Sequence, residues 1–248
     1  MTDFAHVWTA LPAWAWLLTA LAAFLIGFSK TAIANVALVS VVVLAALLPV
    51  KESTGVVLVM YLAADLVAIW VYRQHVDWKL IGSLIAPVLL GIAVGAVFLD
   101  RADDLVLKRV IGAVVLGLLV LGFWREKLRA ERRAVGFGYG SLAGFTTMVA
   151  NAGGPAFSLY LLASRFDKLR FLGTSAWFYF GINLTKLPIS IGLGIVHLPT
   201  ALFALAFAPV ILAGTFVGVR LIRRMNQKTF ESVVVAFVAV AAAYLLLG

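Results

Sequence analysis

The chain has 248 residues, of which 64% are hydrophobic and only 12% are charged. That charged share is about half that of a soluble domain, which excludes disorder, a coiled coil and an ordinary soluble enzyme. A net charge of +9 would suggest nucleic acid in a soluble chain, but basic cytoplasmic loops explain it better in an apolar one. The absence of cysteine excludes thiolate sites, and the scattered His6, His75 and His197 argue against a histidine metal site.

Ten apolar runs follow one another along the chain. They are residues 13–28, 32–48, 54–72, 80–99, 105–124, 135–148, 152–163, 172–195, 201–219 and 230–247. Six reach about 18 residues or more, close to the roughly 20 that a helix needs to cross a bilayer. The first pair and the sixth and seventh runs are shorter, and each pair surrounds a polar hinge, at 29–31 and at 146–151. Such pairs predict re-entrant or broken hairpins.

Positive charge predicts the orientation of these runs. If each hairpin enters and leaves on one side, segments 73–79, 125–133, 165–170 and 220–228 share a side that holds fourteen Lys and Arg residues, against four opposite. The positive-inside rule places that side in the cytoplasm and both termini outside. If all ten runs crossed the membrane completely, the same segments would lie on the same sides. The count of Lys and Arg residues therefore does not distinguish hairpins from complete spans.

The two halves of the chain resemble each other. The aligned segments are Gly27-Phe28-Ser29 with Gly144-Phe145-Thr146, Gly55 with Gly173, Tyr61 with Tyr179, Asp65 with Asn183, Ala86-Pro87-Val88 with Ala208-Pro209-Val210, and Val94-Gly95 with Val217-Gly218. Each half has one hairpin and three spans, an odd number of crossings, so the second half is expected to be inverted, as in secondary transporters and some channels. The sequence predicts an all-α polytopic membrane protein of eight to ten membrane segments, with repeats at 1–124 and 135–248 and a basic linker at 125–134.

Three ionisable residues lie at predicted membrane depth: Lys30, Asp65 and Lys186. A charge inside the bilayer is costly, so each is a functional candidate. Two cations and one anion leave an excess of one positive charge, which an anionic substrate would balance. Asp65 is either the partner of a lysine, which we favour, or a proton carrier.

A substrate site is hypothesised around the hairpins. Its candidates are Lys30, Thr31, Asn35, Thr147, Asn151, Gly153, Gly154, Asn183 and Lys186. Hydroxyls, amides and the N-termini of half-helices suit an oxyanion with several acceptor oxygens. The alternative is structural, because small and polar residues also join membrane helices and the lysines could simply pair with Asp65. We predict no catalytic residue, metal or cofactor, since paired carboxylates at membrane depth are missing.

Five stretches of the chain occur in the order and spacing of the motifs of a known protein family. They are GFSK (27–30), KESTGVVL (51–58), AADLVAIWVYRQHVDWK (63–79), AGFTTMVANAGGP (143–155) and GTSAWFYFGINLTKLP (173–188). Together they resemble the sulfite exporter TauE/SafE family of bacterial membrane transporters. The resemblance implies export of small sulfur-containing anions, such as sulfite or organosulfonates, across the inner membrane. An anion channel and proton-coupled uptake of an organic anion are the alternatives. The expected partners are the anion and membrane lipid, without nucleic acid, and a homo-oligomer is left open.

Overall fold

A computed structural model describes residues 11–33, 36–101 and 133–236, and all regular structure in these ranges is helical. The helices are α1 (Ala13–Thr31), α2 (Ala37–Leu47), α3 (Val50–Tyr72), α4 (Trp78–Arg101), α5 (Arg133–Ala150), α6 (Gly154–Ala163), α7 (Lys168–Gly192), α8 (Leu198–Ala206) and α9 (Ala208–Arg224). Residues 227–236 are helical too and form the described part of α10. The predicted run 105–124, most of the linker and the end of the last run lie outside the described residues. Within them the all-α prediction is confirmed.

The hairpin breaks begin later along the chain than the predicted polar hinges. Helix α1 continues through Ser29 and Lys30 to Thr31, and α5 continues through Thr146 to Ala150. Both hydroxyls bond back along their own helix: Ser29 donates to the Ile26 carbonyl at 2.9 Å and Thr146 to the Leu142 carbonyl at 2.7 Å. Hydroxyls satisfied in this way fit inside a helix, so the predicted hinges began too early, although the second one, 146–151, includes Asn151 of the actual break. The breaks themselves are present, after Thr31 and after Ala150.

The run predicted as one span at 201–219 is two helices. Helices α8 and α9 meet at a bend of 49° around Phe207. Pro209 stands in the first turn of α9, where its missing N–H removes a bond that a continuous helix would need. Among the described residues, three helices (α1, α4 and most of α3) are long and apolar enough to cross a membrane, or four spans if the bent pair counts as one. Helices α2 and α6, with 11 and 10 residues, are shorter.

The described residues form two compact units. The first unit combines those up to Val71 with Tyr179–Arg224, and the second combines those of Tyr72–Phe178 with residues 225–236. In the first unit, α1 packs against α2 and α9, and apolar side chains of α1, α3 and α8 form its core. In the second unit, α5 packs against α4 and α6, and the rings of Phe157 and Phe178 stack 3.6 Å apart.

Glycines allow the same close helix contact in each unit. In the first, a Cβ on Gly27 would lie 2.0 Å from the Ile211 carbonyl oxygen, and one on Gly214 would lie 2.0 Å from that of Phe24. In the second, Gly144 and Gly91 take these places, facing the carbonyl oxygens of Val88 at 2.2 Å and Ser141 at 2.0 Å. The offsets of 117 and 123 residues that relate these glycines are those of the sequence repeat. The repeat therefore reproduces a pattern of packing, in which small residues let membrane helices touch.

Candidate functional site

A buried ion pair joins α1 to α3 in the first unit. Lys30 Nζ lies 2.7 Å from Asp65 Oδ1, and the two side chains are 8% and 0% exposed. Lys30 is in the last turn of α1, where the helix dipole favours a cation. Because an unpaired charge here would be strongly disfavoured, the pair explains how both residues remain buried. The interpretation of Asp65 as the partner of a lysine agrees with this geometry.

Two tyrosine rings flank the Lys30 ammonium. Its Nζ lies 4.2 Å from the centroid of the Tyr61 ring and 5.0 Å from that of Tyr179, within the range of cation–π attraction. These tyrosines are equivalent positions in the sequence repeat, but they were not among the residues predicted for the site. A signal was available, since Tyr61 lies one helical turn before Asp65 and Tyr179 one turn before Asn183.

Helix α7 brings an amide to the carboxylate. Asn183 Nδ2 donates to Asp65 Oδ2 at 2.6 Å, and both residues are fully or almost fully buried. Helices α3 and α7 run antiparallel in this unit, since a Cβ on Gly55, near the start of α3, would lie 2.3 Å from the carbonyl oxygen of Ile195, beyond the end of α7. Asp65 and Asn183 are partners in the repeat alignment, so two equivalent positions meet in one hydrogen bond.

Lys186 adds a second cation on α7, one turn after Asn183. The residue is 1% exposed, and it lies close enough to Lys30 and Asp65 to interact electrostatically with both. Around the Lys30–Asp65 pair the formal charge is therefore two ammonium groups against one carboxylate. The first unit thus brings together Lys30, Asp65, Asn183 and Lys186 of the predicted set.

Thr31 and Asn35 are two further residues predicted for the site. The Thr31 hydroxyl donates to the Thr215 carbonyl at 3.0 Å, so it also joins α1 to α9. Asn35 lies outside the described residues. A substrate contact by either residue stays a prediction.

The second unit holds the candidates of the second hairpin. Asn151 ends α5 in a left-handed conformation, with φ of 53°, and its N–H donates to the Thr147 carbonyl at 3.0 Å. Asparagine tolerates this conformation better than most residues, so it suits the position after a helix. A Cβ on Gly153 would lie 2.9 Å from Thr147 Cβ, which requires glycine there, and α6 begins at Gly154. Asn151 and Gly153 thus lie in the break between α5 and α6, with Thr147 in the last turn of α5. Contact of these residues with a substrate stays a prediction.

A salt bridge outside the helical spans fixes the loop after α3. Arg170 donates to Asp77 Oδ2 at 2.5 Å, and the Asp77 N–H donates to Thr174 Oγ1 at 3.0 Å. Partial burial would raise the pKa of Asp77, but the hydrogen bond from the Leu80 N–H and the Arg170 guanidinium outweigh it and lower that pKa below its usual value. The loop is therefore tied to the start of α7 within the second unit.

The comparison with protein families decides what kind of protein carries these residues. A family model described as "Sulfite exporter TauE/SafE" matches residues 19–245. The chain belongs to the TauE/SafE family. This confirms the resemblance found in the sequence, and the TauE/SafE family is one of membrane transporters of the sulfite-exporter type. No match was found among curated proteins or among solved structures.

The described part of this TauE/SafE protein offers no cluster of three or more His, Cys, Asp or Glu side chains that could hold a metal ion. Besides the Asp65 carboxylate, its buried polar side chains include ammonium groups, amides and hydroxyls. Such groups bind and orient an anion by charge and hydrogen bonding.

Proposed function

We propose that this protein is a secondary transporter that exports small sulfur-containing anions, such as sulfite or an organosulfonate, with Lys30 and Lys186 as the cationic part of its binding site. The observation that carries the proposal is the excess of one buried positive charge over Asp65. Buried charge is tolerated when it is balanced, and a small anion would balance the net positive charge of the group formed by Lys30, Asp65 and Lys186. Family membership supports the class of cargo.

Within the group of Lys30, Asp65 and Lys186, we assign Lys186 as the cation that contacts the substrate. Lys30 is 2.7 Å from Asp65 and lies against two tyrosine rings. Asp65 also accepts the Asn183 amide, so its two oxygens face Lys30 and Asn183. Lys186 lies on α7 one turn after Asn183, so this helix presents an ammonium group and an amide close together.

The direction of transport follows from the membrane potential. An inside-negative potential favours outward movement of an anion by about 2.3 kcal/mol per unit charge per 100 mV. Export therefore needs no coupling ion in this proposal. Asp65 then serves as a fixed counter-charge and carries no proton.

The architecture that we propose for this function is a pair of inverted repeats, 1–124 and 135–248, in the bacterial inner membrane with both termini outside. Support comes from the duplicated glycine contacts and from the breaks after Thr31 and Ala150. We further propose that Thr147, Asn151, Gly153 and Gly154 supply neutral ligands, because a helix N-terminus such as that of α6 presents N–H groups and partial positive charge.

A binding screen tests the cargo. Purified protein is heated with sulfite, thiosulfate, sulfoacetate, sulfate or non-sulfur carboxylates, and the shift of the melting temperature is measured. Sulfite or a sulfonate should raise it more than carboxylates do, because a bound ligand stabilises the folded state. Stabilisation by carboxylates alone would contradict the sulfur assignment. Saturable flux in vesicles, without single-channel conductance, would distinguish a carrier from the alternative of an anion channel.

Lys186→Met tests the site with the anion that the screen identifies. Loss of a hydrogen bond to a charged group, about 1.5–3 kcal/mol, should weaken the anion's Kd roughly 10- to 150-fold. The matched control is Lys228→Met, which removes an exposed lysine and should leave Kd unchanged. Equal affinities in wild type and Lys186→Met would remove Lys186 from the site.

A further inference from the structure

A groove on the outer surface of the first unit is not used by the proposed transport site. It lies between α3 and α9 and has a volume of about 480 Å³. Val67 and Trp70 line it from α3, and Phe216 and Val219 line it from α9. Trp70 and Phe216 are 70% and 65% exposed, so the groove opens outwards. On a membrane protein, an exposed apolar wall of this kind faces acyl chains.

Three arginines line one end of the same groove: Arg220, Arg223 and Arg224. Positions three and four apart lie on one side of a helix, so the three guanidinium groups are neighbours in the last turns of α9. Within the part of the chain that the structure describes, none of them pairs with a carboxylate. The groove thus has apolar walls and a cationic end, to which the described residues supply no counter-charge.

We propose that this groove binds one anionic phospholipid, with its phosphate on the arginines and an acyl chain along the wall between Val67 and Phe216. Guanidinium groups bind phosphate oxygens through paired N–H donors, and basic pockets between membrane helices are typical places for anionic head groups. The charge count predicts that residues 220–228 face the cytoplasm, where the leaflet is rich in anionic lipid. A free phosphate ion would use the arginines but not the apolar wall.

Native mass spectrometry of the full chain in detergent tests this assignment. The protein is mixed with equal amounts of phosphatidylglycerol and phosphatidylcholine that carry the same acyl chains. We expect phosphatidylglycerol adducts to dominate, with binding weakened about fivefold for each arginine removed in Arg223→Gln/Arg224→Gln. Arg223→Lys/Arg224→Lys keeps the charge and should stay within a few-fold of wild type.

The matched control is Lys79→Gln/Arg165→Gln, which removes two exposed basic residues outside the groove. It should keep the preference for phosphatidylglycerol. Glycerol 3-phosphate, added as a competitor without acyl chains, should not displace the lipid. Three results would each overturn the proposal: equal binding of both lipids, an equal loss in the control, or displacement of the lipid by glycerol 3-phosphate.

Discussion

Removing the Asp65 carboxylate gives the sharpest test of the charge arrangement in the first unit. Asp65→Asn keeps the size of the side chain and leaves Lys30 and Lys186 buried with no anion between them. Asp65 is fully buried and 2.7 Å from Lys30, so the substitution removes one partner of a buried ion pair. Breaking a buried pair in this way costs about 3–5 kcal/mol. For a chain of this length that corresponds to a fall in melting temperature of about 6–20 °C.

Replacing both Lys30 and Asp65 distinguishes the energetic cost of leaving one charge unpaired from the stability that the ion pair itself contributes. Lys30→Met/Asp65→Leu removes both charges and keeps apolar volume, which is often neutral or stabilising. We therefore expect the double variant to melt much closer to wild type than Asp65→Asn does. Lys30→Met alone should lie between them, because Asp65 keeps the Asn183 hydrogen bond and the nearby cation of Lys186.

The assay is thermal unfolding in detergent, followed by intrinsic tryptophan fluorescence at neutral pH. Under the proposed function, the transported anion should stabilise Asp65→Asn more than wild type, since it supplies the missing negative charge. An Asp65→Asn protein that melts with wild type would refute the assignment of a buried pair. A double variant as unstable as the single one would refute the claim that the orphaned charge is the cause.

Two further predictions concern packing and pH. Gly214→Ala should lower the free energy of unfolding by about 1–3 kcal/mol or prevent folding, because its Cβ would lie 2.0 Å from the Phe24 carbonyl oxygen. The control is Gly181→Ala, which has no atom within 4 Å of the new Cβ and should be neutral or slightly stabilising. The melting temperatures of the two variants are compared with that of the wild type. The lowered pKa of Asp77 means that its contribution to stability is present above the ordinary carboxyl pKa of about 3.9 and is lost as the pH falls below it. Melting temperatures of wild type and Asp77→Asn across acidic pH should differ above that value and converge below it; parallel curves would contradict the role of the Arg170 salt bridge.

Much of the helical framework could be predicted because it depends on composition and spacing. The apolar runs predicted α3, α4 and α7 to within a few residues at most of their ends. The hinges were misplaced because hydroxyls such as those of Ser29 and Thr146 look polar in sequence but bond to their own helix. The bend at Phe207 lies beside Pro209, whose missing N–H interrupts the helix, and a pattern of apolar residues alone does not show such an interruption.

The site was only partly predictable, for a different reason. Lys30, Asp65 and Lys186 were identified because a charge at membrane depth is rare. Tyr61 and Tyr179 were missed because an aromatic ring in an apolar span looks like any packing residue. Which lysine pairs with Asp65 depends on the approach of α1 to α3, and only the three-dimensional contacts select Lys30.

Equivalent positions in the two sequence repeats show which features both units share and which occur in one unit alone. The glycine contacts occur in both units, but the charges do not: by the same offsets, Thr147 corresponds to Lys30, Asn183 to Asp65, and Ala68 to Lys186. Helix α1 packs against α9, and helix α5 packs against α4 in the same way. At the equivalent position α1 has Lys30 and α5 has Thr147. A charge is thus not required for this kind of helix contact. Since burying charge opposes folding, this difference between the units supports the proposal that the Lys30–Asp65–Lys186 set binds a ligand.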